Sequence, residues 1–207
     1  GNVKVDSNDT THLSRPAGIT VYDKTNEVFV ADGYGNRRVI VFDADTGAYK
    51  RHWGAYGNKP DDKASKARQA SGPGPQQFNT PHGIEVANDG TVYVTDRANN
   101  RVQAFTKQGK FVQEFAVANN TLRNGSVGSV DFSPDPEQKY VYIADIMNNV
   151  VWQVERKTGK TVGKIGHSGH QGGFFTYLHV AWMDSKGNLY TGEVDAGKRV
   201  QKFSLVK

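Results

Sequence analysis

The strongest constraint on this chain is that it says the same thing four times. Residues 15–54, 80–115, 126–166 and 177–203 align on one grammar, and self-similarity at this period marks an architecture of stacked supersecondary units. Each unit opens with a short mixed run, such as Ile19–Val21 or Ile84–Val86. A turn rich in Asp, Asn and Gly follows (Asn88-Asp89-Gly90; Lys186-Gly187-Asn188), which is hairpin chemistry. The second run alternates apolar and polar residues with period two and stops on an acid: Asp32, Asp96, Asp145 or Glu193. A loop, a third run and, in the first three units, a Thr-Gly or Gln-Gly turn with a fourth run complete the pattern. The fourth unit stops after three runs. Helical periodicity is absent over any useful window. Four short antiparallel strands per repeat predict an all-β chain of propeller blades.

The pattern predicts one propeller domain over residues 1–207, with blades at about 14–54, 79–118, 126–166 and 177–207. The interval from Asp32 to Asp96 is the longest between acids. It holds residues 55–78, a polar stretch rich in Lys, Asp, Gly and Pro, read as an exposed insertion between blades. Residues 2–5 are an orphan strand-like run. Two placements stay open for it: an outer strand closing the last blade, or the remnant of an earlier one.

Composition narrows the function classes. With no cysteine there is neither a disulfide framework nor a thiolate metal site. No apolar stretch reaches the length of a membrane span, and the first ten residues are too polar for a signal peptide, as they would also be in a mature secreted protein. The 26 Lys and Arg against 21 Asp and Glu give a net charge of +5. The basic residues are scattered rather than striped, which favours a cationic surface suited to anionic ligands over a nucleic-acid face.

The loops carry a family resemblance. Asp32-Gly-Tyr-Gly-Asn-Arg-Arg-Val39 and Asp96-Arg-Ala-Asn-Asn-Arg-Val102 resemble the NHL-repeat signature, an acid followed by Asn-Arg-Val. Within that group the chain resembles in particular the peptidyl-α-hydroxyglycine α-amidating lyases and their bacterial relatives. The resemblance implies an NHL-type propeller of six blades. It also implies zinc held by three histidines in Pro-His-type motifs, a catalytic tyrosine in an Asp-Gly-Tyr loop, and a substrate-binding arginine after the acid of the next blade. The matching positions are His82 and His179 for the metal, Tyr34 for the tyrosine and Arg97 for the arginine. The third histidine has no counterpart, since the equivalent positions are Ala17 and Gly128. Val180 stands where the family carries an acid tied to a structural calcium, a further family feature.

Three functions follow as expectations. The first is a zinc-dependent C–N lyase that releases glyoxylate from a small carboxylated, peptide-like substrate, incomplete as a catalyst in this chain. The second is a non-catalytic scaffold for a protein or peptide ligand, and the third, less favoured, an RNA-binding face. A secreted or periplasmic location follows from the resemblance alone. Four blades further imply the C-terminal part of a six-bladed ring with upstream blades missing, a closed four-blade ring, or a homo-oligomer. Each candidate also has a plainer reading: the four acids as acceptors for loop N–H groups, His82 as a turn residue, Tyr34 as surface packing, Arg97 as a blade-to-blade donor. His167 and His170 read as members of an exposed glycine-rich loop, and Trp53, Trp152 and Trp182 as core or blade-interface residues.

Overall fold

A computed structural model describes residues 5–65 and 75–206. The strand-like run at residues 2–5 and the middle of the 55–78 insertion therefore lie largely outside the described residues. The remainder is all-β, with fifteen described strands in four antiparallel sheets. Blade 1 contains β1 (Gly18–Tyr22), β2 (Glu27–Asp32), β3 (Arg38–Asp43) and β4 (Tyr49–Trp53). Blade 2 contains β5 (Pro81–Val86), β6 (Val92–Asp96), β7 (Arg101–Phe105) and β8 (Phe111–Ala116). Blade 3 contains β9 (Val127–Phe132), β10 (Tyr140–Asp145), β11 (Val150–Glu155) and β12 (Thr161–Ile165). Blade 4 has three strands, β13 (Leu178–Met183), β14 (Leu189–Glu193) and β15 (Val200–Phe203). Within each sheet the order follows the chain, as hairpin connections dictate.

Burial follows the pleat. Alternate residues of the middle strands face one neighbouring blade or the other, so the cores lie between sheets. Phe29, Val39 and Val41 of blade 1 pack with Val92, Val94 and Phe105 of blade 2, joined by Trp53 and Phe78. Tyr93 and Val102 meet Phe132 and Ile143 at the next junction, and Ala144 and Val151 meet Leu178 and Leu189 at the third. The inner strands β1, β5, β9 and β13 pack in that sequence around a common axis. Among the described residues no fourth cluster joins blade 4 to blade 1. Ile19 of β1 is 68% exposed and Trp182 of β13 is 50% exposed. Trp182 therefore departs from the core reading, because among the described residues no sheet packs on the face it stands on. Trp53 is buried, and Trp152 donates its indole N–H to Asp145 at 2.8 Å.

At the head of each blade sits a polar clamp that accounts for the repeated acid. Asp32, fully buried, meets Arg38 at 2.9 Å, and Arg38 reaches on to the carbonyls of Ser7, Asp9 and His12. Asp96 meets Arg101 at 2.7 Å, and Arg101 holds the Pro75 carbonyl. Glu193 meets Arg199 at 2.7 Å, and Arg199 holds the carbonyls of His170 and Phe174. The acids accept backbone N–H groups as well: Ser14 to Asp32, Asn79 to Asp96, Thr176 to Glu193. Those donors come from the segment before each blade, whereas Asp145 takes the N–H of Asn148 in the loop after it. In blade 3, Trp152 stands in for the arginine. The loop asparagine completes the unit, with Asn36 donating to Asp32, Asn99 to Asp96 and Asn148 to Asp145. Asn100 and Asn149 adopt φ of +54°, a left-handed conformation that asparagine tolerates better than branched residues.

Replacing Arg101 by Ala should destabilise the fold by about 3–5 kcal/mol in urea unfolding, because it strands the buried Asp96 carboxylate. Arg156→Ala, which removes a pair to the half-exposed Asp89, should cost under about 1 kcal/mol. A second prediction concerns Glu85 and Asp131 on adjacent inner strands. Burial pushes both carboxyls up, and for Glu85 the nearby Asp131 charge adds to it. A raised folded pKa means that the native state holds its proton longer than the unfolded chain does, so stability falls as pH rises through that window. Glu85→Gln should therefore stabilise the protein at pH 7, with the difference shrinking towards pH 4; thermal melts across this range measure it.

Candidate functional site

The inner strands are irregular at one level. In β5, Pro81 pairs with Asp96 and then Ile84 with Val94, so His82 and Gly83 together face Thr95. In β9, Gly128 is the extra residue between the pairs of Val127 and Ser129, and in β13, His179 is the extra residue between those of Leu178 and Val180. A bulge releases a residue from the ladder and re-aims it. Repeated in three consecutive blades, it turns residues 82, 128 and 179 onto a shared cavity of about 240 Å³ also lined by Ala17, Ile19 and Trp182.

The structure brings together all four residues proposed from sequence. His82, only 3% exposed, lies with its ring centroid 4.8 Å from that of His179, edge to face. The Tyr34 hydroxyl is 2.8 Å from His82 Nε2, and Arg97 Nη1 is 3.3 Å from the Tyr34 oxygen. The Arg97 guanidinium also lies over the Tyr34 ring, 5.3 Å from its centroid. Tyr34 reaches this position because its loop rests on blade 2: a Cβ at Gly33 would overlap the Pro81 carbonyl. The Tyr34 N–H donates to the Arg15 carbonyl and the Arg15 guanidinium donates to the Tyr34 carbonyl, holding the same loop from the other side.

Protonation states follow from geometry. His82 Nδ1 is 2.7 Å from the Gly128 carbonyl oxygen, which can only accept, so Nδ1 carries the proton. Nε2 is then the bare nitrogen and accepts from the Tyr34 hydroxyl. Burial drives the His82 pKa down to about 4, helped by the charges of Arg97 and His179, while the Gly128 bond works in the opposite direction. His179 is likewise pushed down by burial and then by Arg97. Both imidazoles are therefore neutral near pH 7.

Arg97 differs from the clamp arginines. Among the described residues it has no carboxylate partner within ion-pair distance, and its Nε is buried without a hydrogen-bond partner. His167 and His170 are placed elsewhere, on an exposed loop where His167 stacks on Phe174. Sequence reasoning missed the Gly128 carbonyl. Its signal was the glycine itself, at the repeat position held by histidine in blades 2 and 4. A Cβ there would press on Ile146 and the His179 carbonyl, so only glycine lets the three inner strands close to this distance.

Comparison with known proteins matches this architecture. The NHL-repeat family profile matches residues 78–105, which span β5 to β7. Human NHL repeat-containing protein 3 is 30% identical over 199 residues, 92% of this chain and 50% of that protein. A probable peptidyl-α-hydroxyglycine α-amidating lyase of Caenorhabditis elegans is 35% identical over 107 residues, 51% of this chain and 26% of that protein. Peptidyl-glycine α-amidating monooxygenase B of Xenopus laevis is 33% identical over 108 residues, 51% of this chain and 11% of its own length. The chain thus spans half or less of the length of these relatives. Among solved structures, hydrazine synthase of Kuenenia stuttgartiensis superposes with a TM-score of 0.65 at 16% identity, over 99% of this chain and 49% of that one. A streptogramin B lyase superposes with a TM-score of 0.58 at 17% identity, over 93% and 55%. At such identities the superpositions speak for the fold alone. Repeat, blade geometry and relatives agree that this chain is an NHL-repeat β-propeller with distant similarity to amidating-lyase domains.

Proposed function

We propose that the cavity mouth binds the carboxylate of a peptide-like ligand at Arg97 and carries out amidating-lyase-type C–N cleavage, with Tyr34 as proton acceptor. The observation that carries this reading is the continuous chain Arg97–Tyr34–His82, in which a cation with no carboxylate partner among the described residues touches a hydroxyl bonded to a neutral imidazole. A guanidinium left uncompensated in a half-buried setting favours an anion, and a carboxylate matches its fork.

The reaction is a redistribution within one molecule. In an N-acyl-α-hydroxyglycine, the hydroxyl proton is removed, the C–O bond becomes a carbonyl, and the C–N bond breaks with its electron pair going to nitrogen. Nitrogen takes up a proton, so the products are an amide and glyoxylate, with no oxidant or reductant. Tyr34 accepts the hydroxyl proton as its own passes to His82 Nε2, and the same path returns it to the leaving nitrogen. The low basicity of His82 makes it a relay rather than a store. Arg97 holds the carboxylate so that the hydroxyl meets Tyr34 in reacting geometry.

His82 and His179 are the residues that would hold zinc. Two neutral imidazoles, one with Nδ1 tied to a carbonyl, fit its donor chemistry; bound there, the metal would polarise the substrate hydroxyl. The lone pair of His82 Nε2 serves either such a metal or the Tyr34 hydroxyl, not both. No third His, Cys, Asp or Glu completes a metal cluster among the described residues. That donor number favours a second reading, in which the mouth binds carboxylated peptide ends without turning them over.

Glyoxylate release from an N-acyl-α-hydroxyglycine, with and without added zinc, separates the two. The lyase reading expects release that falls about 10²-fold or more in Tyr34→Phe. Binding of the corresponding N-acylglycine, which lacks the reacting hydroxyl, should weaken about 10-fold or more in Arg97→Ala. Binding without glyoxylate selects the scaffold; no binding at all refutes both.

A further inference from the structure

The residue just before the blade acid is Ala31 in blade 1, Ala144 in blade 3 and Gly192 in blade 4, but Thr95 in blade 2. In each blade it lies beside the inner strand, at the level where β5, β9 and β13 bulge. Three blades thus place a side chain no larger than a methyl group there. Only the blade carrying His82 places a hydroxyl.

That hydroxyl is fully buried and used in two directions. It accepts the Gly83 N–H at 2.6 Å, a donor that the bulge has removed from the ladder. It also lies 3.1 Å from the Gly128 carbonyl oxygen, the acceptor for His82 Nδ1–H, and 3.4 Å from the Gly83 carbonyl. Thr95 therefore ties the backbone that carries His82 to the backbone that selects its tautomer, across the junction of blades 2 and 3. The Gly128 carbonyl thus accepts from both His82 Nδ1–H and the Thr95 hydroxyl.

We infer that Thr95 is a positioning residue: by fixing the Gly128 carbonyl against His82 Nδ1, it holds His82 as the Nδ1–H tautomer and keeps Nε2 bare towards Tyr34. Uncoupled imidazole prefers the opposite tautomer, whose Nε2–H could neither accept from Tyr34 nor ligate a metal. Thr95 reaches the site through the Gly83 N–H and the Gly128 carbonyl, touching neither ligand nor reacting atom. It deepens the proposed function but concerns a property of the ligand-free protein.

The test reads imidazole ¹⁵N shifts by two-dimensional NMR at pH 7.5 in chelator-treated protein, with His82→Ala assigning the signal. Wild type should show Nδ1 protonated and Nε2 bare. Thr95→Ala, the residue that blades 1 and 3 carry at this position, should move the tautomer ratio towards Nε2–H roughly three- to tenfold, as expected for one hydrogen bond. Thr95→Ser should restore the wild-type signature. A wild-type signal with Nε2 protonated overturns the inference without any variant. So does a folded Thr95→Ala with an unchanged ratio, or a folded Thr95→Ser that behaves like Ala. Because no substrate or metal is present, absence of glyoxylate release in the separate assay would remove the lyase reading and leave this result standing.

Discussion

The blades depend on a buried acid at the end of each second strand and on the side-chain donor bonded to it. Asp32, Asp96 and Glu193 each neutralise an arginine and accept a backbone N–H from the segment before the blade; the two aspartates also take the amide of a loop asparagine, and Glu193 that of Gln201. The arginine then collects carbonyls from that same segment. Connecting chain between blades has no ladder of its own, so its polar groups need partners as it passes over the blade head. One charged pair per blade supplies several. In blade 3 the indole of Trp152 satisfies the acid instead, without the reach to gather carbonyls.

This arrangement leaves the inner strands free to be irregular. The central pairs β2–β3, β6–β7, β10–β11 and β14–β15 run without a register shift, and their register is fixed by what must face the neighbouring core. At the inner end the acid and its loop hold the strand terminus, and the bulges at residues 82, 128 and 179 sit just beside it. The site inherits its precision from that proximity. Tyr34 and Arg97 follow the acids of blades 1 and 2 by one or two residues, so the clamps that close the blades also aim the two loop residues at the mouth. Among the described residues Arg97 departs from its neighbours in having no carboxylate within ion-pair distance, and its guanidinium lies against Tyr34.

Much of this was legible from particular residues. The alternation around Val28-Phe29-Val30 and Val92-Tyr93-Val94 announced the strands, and the recurring acid announced the blade head. His82 and His179 were visible because they occupy one repeat position, and Tyr34 and Arg97 through the resemblance of their loops to those of the amidating lyases. The plain reading of the acids as acceptors was also sound, but the donors of three of them lie before the blade, not after it. What could not be read was the partner of each polar group. Arg38 and Arg101 looked like members of a signature; only folding reveals that they, like Arg199, hold carbonyls up to 31 residues away. Trp182 looked like an interface residue because aromatic residues in strands usually are, yet exposure depends on whether a sheet stands opposite.

The sequence by itself determined the all-β class, the blade rhythm and which residues could meet at the mouth, because side-chain alternation and turn chemistry are local and repeat faithfully. The tertiary structure decided how they meet. It selected the His82 tautomer through a backbone carbonyl of the next blade, and placed the Tyr34 hydroxyl on the remaining nitrogen. It set the Arg97 guanidinium against Tyr34 and brought the hydroxyl of Thr95 between two strands. Those outcomes rest on hydrogen bonds between residues far apart in the chain, whose distances and directions exist only once the blades have packed.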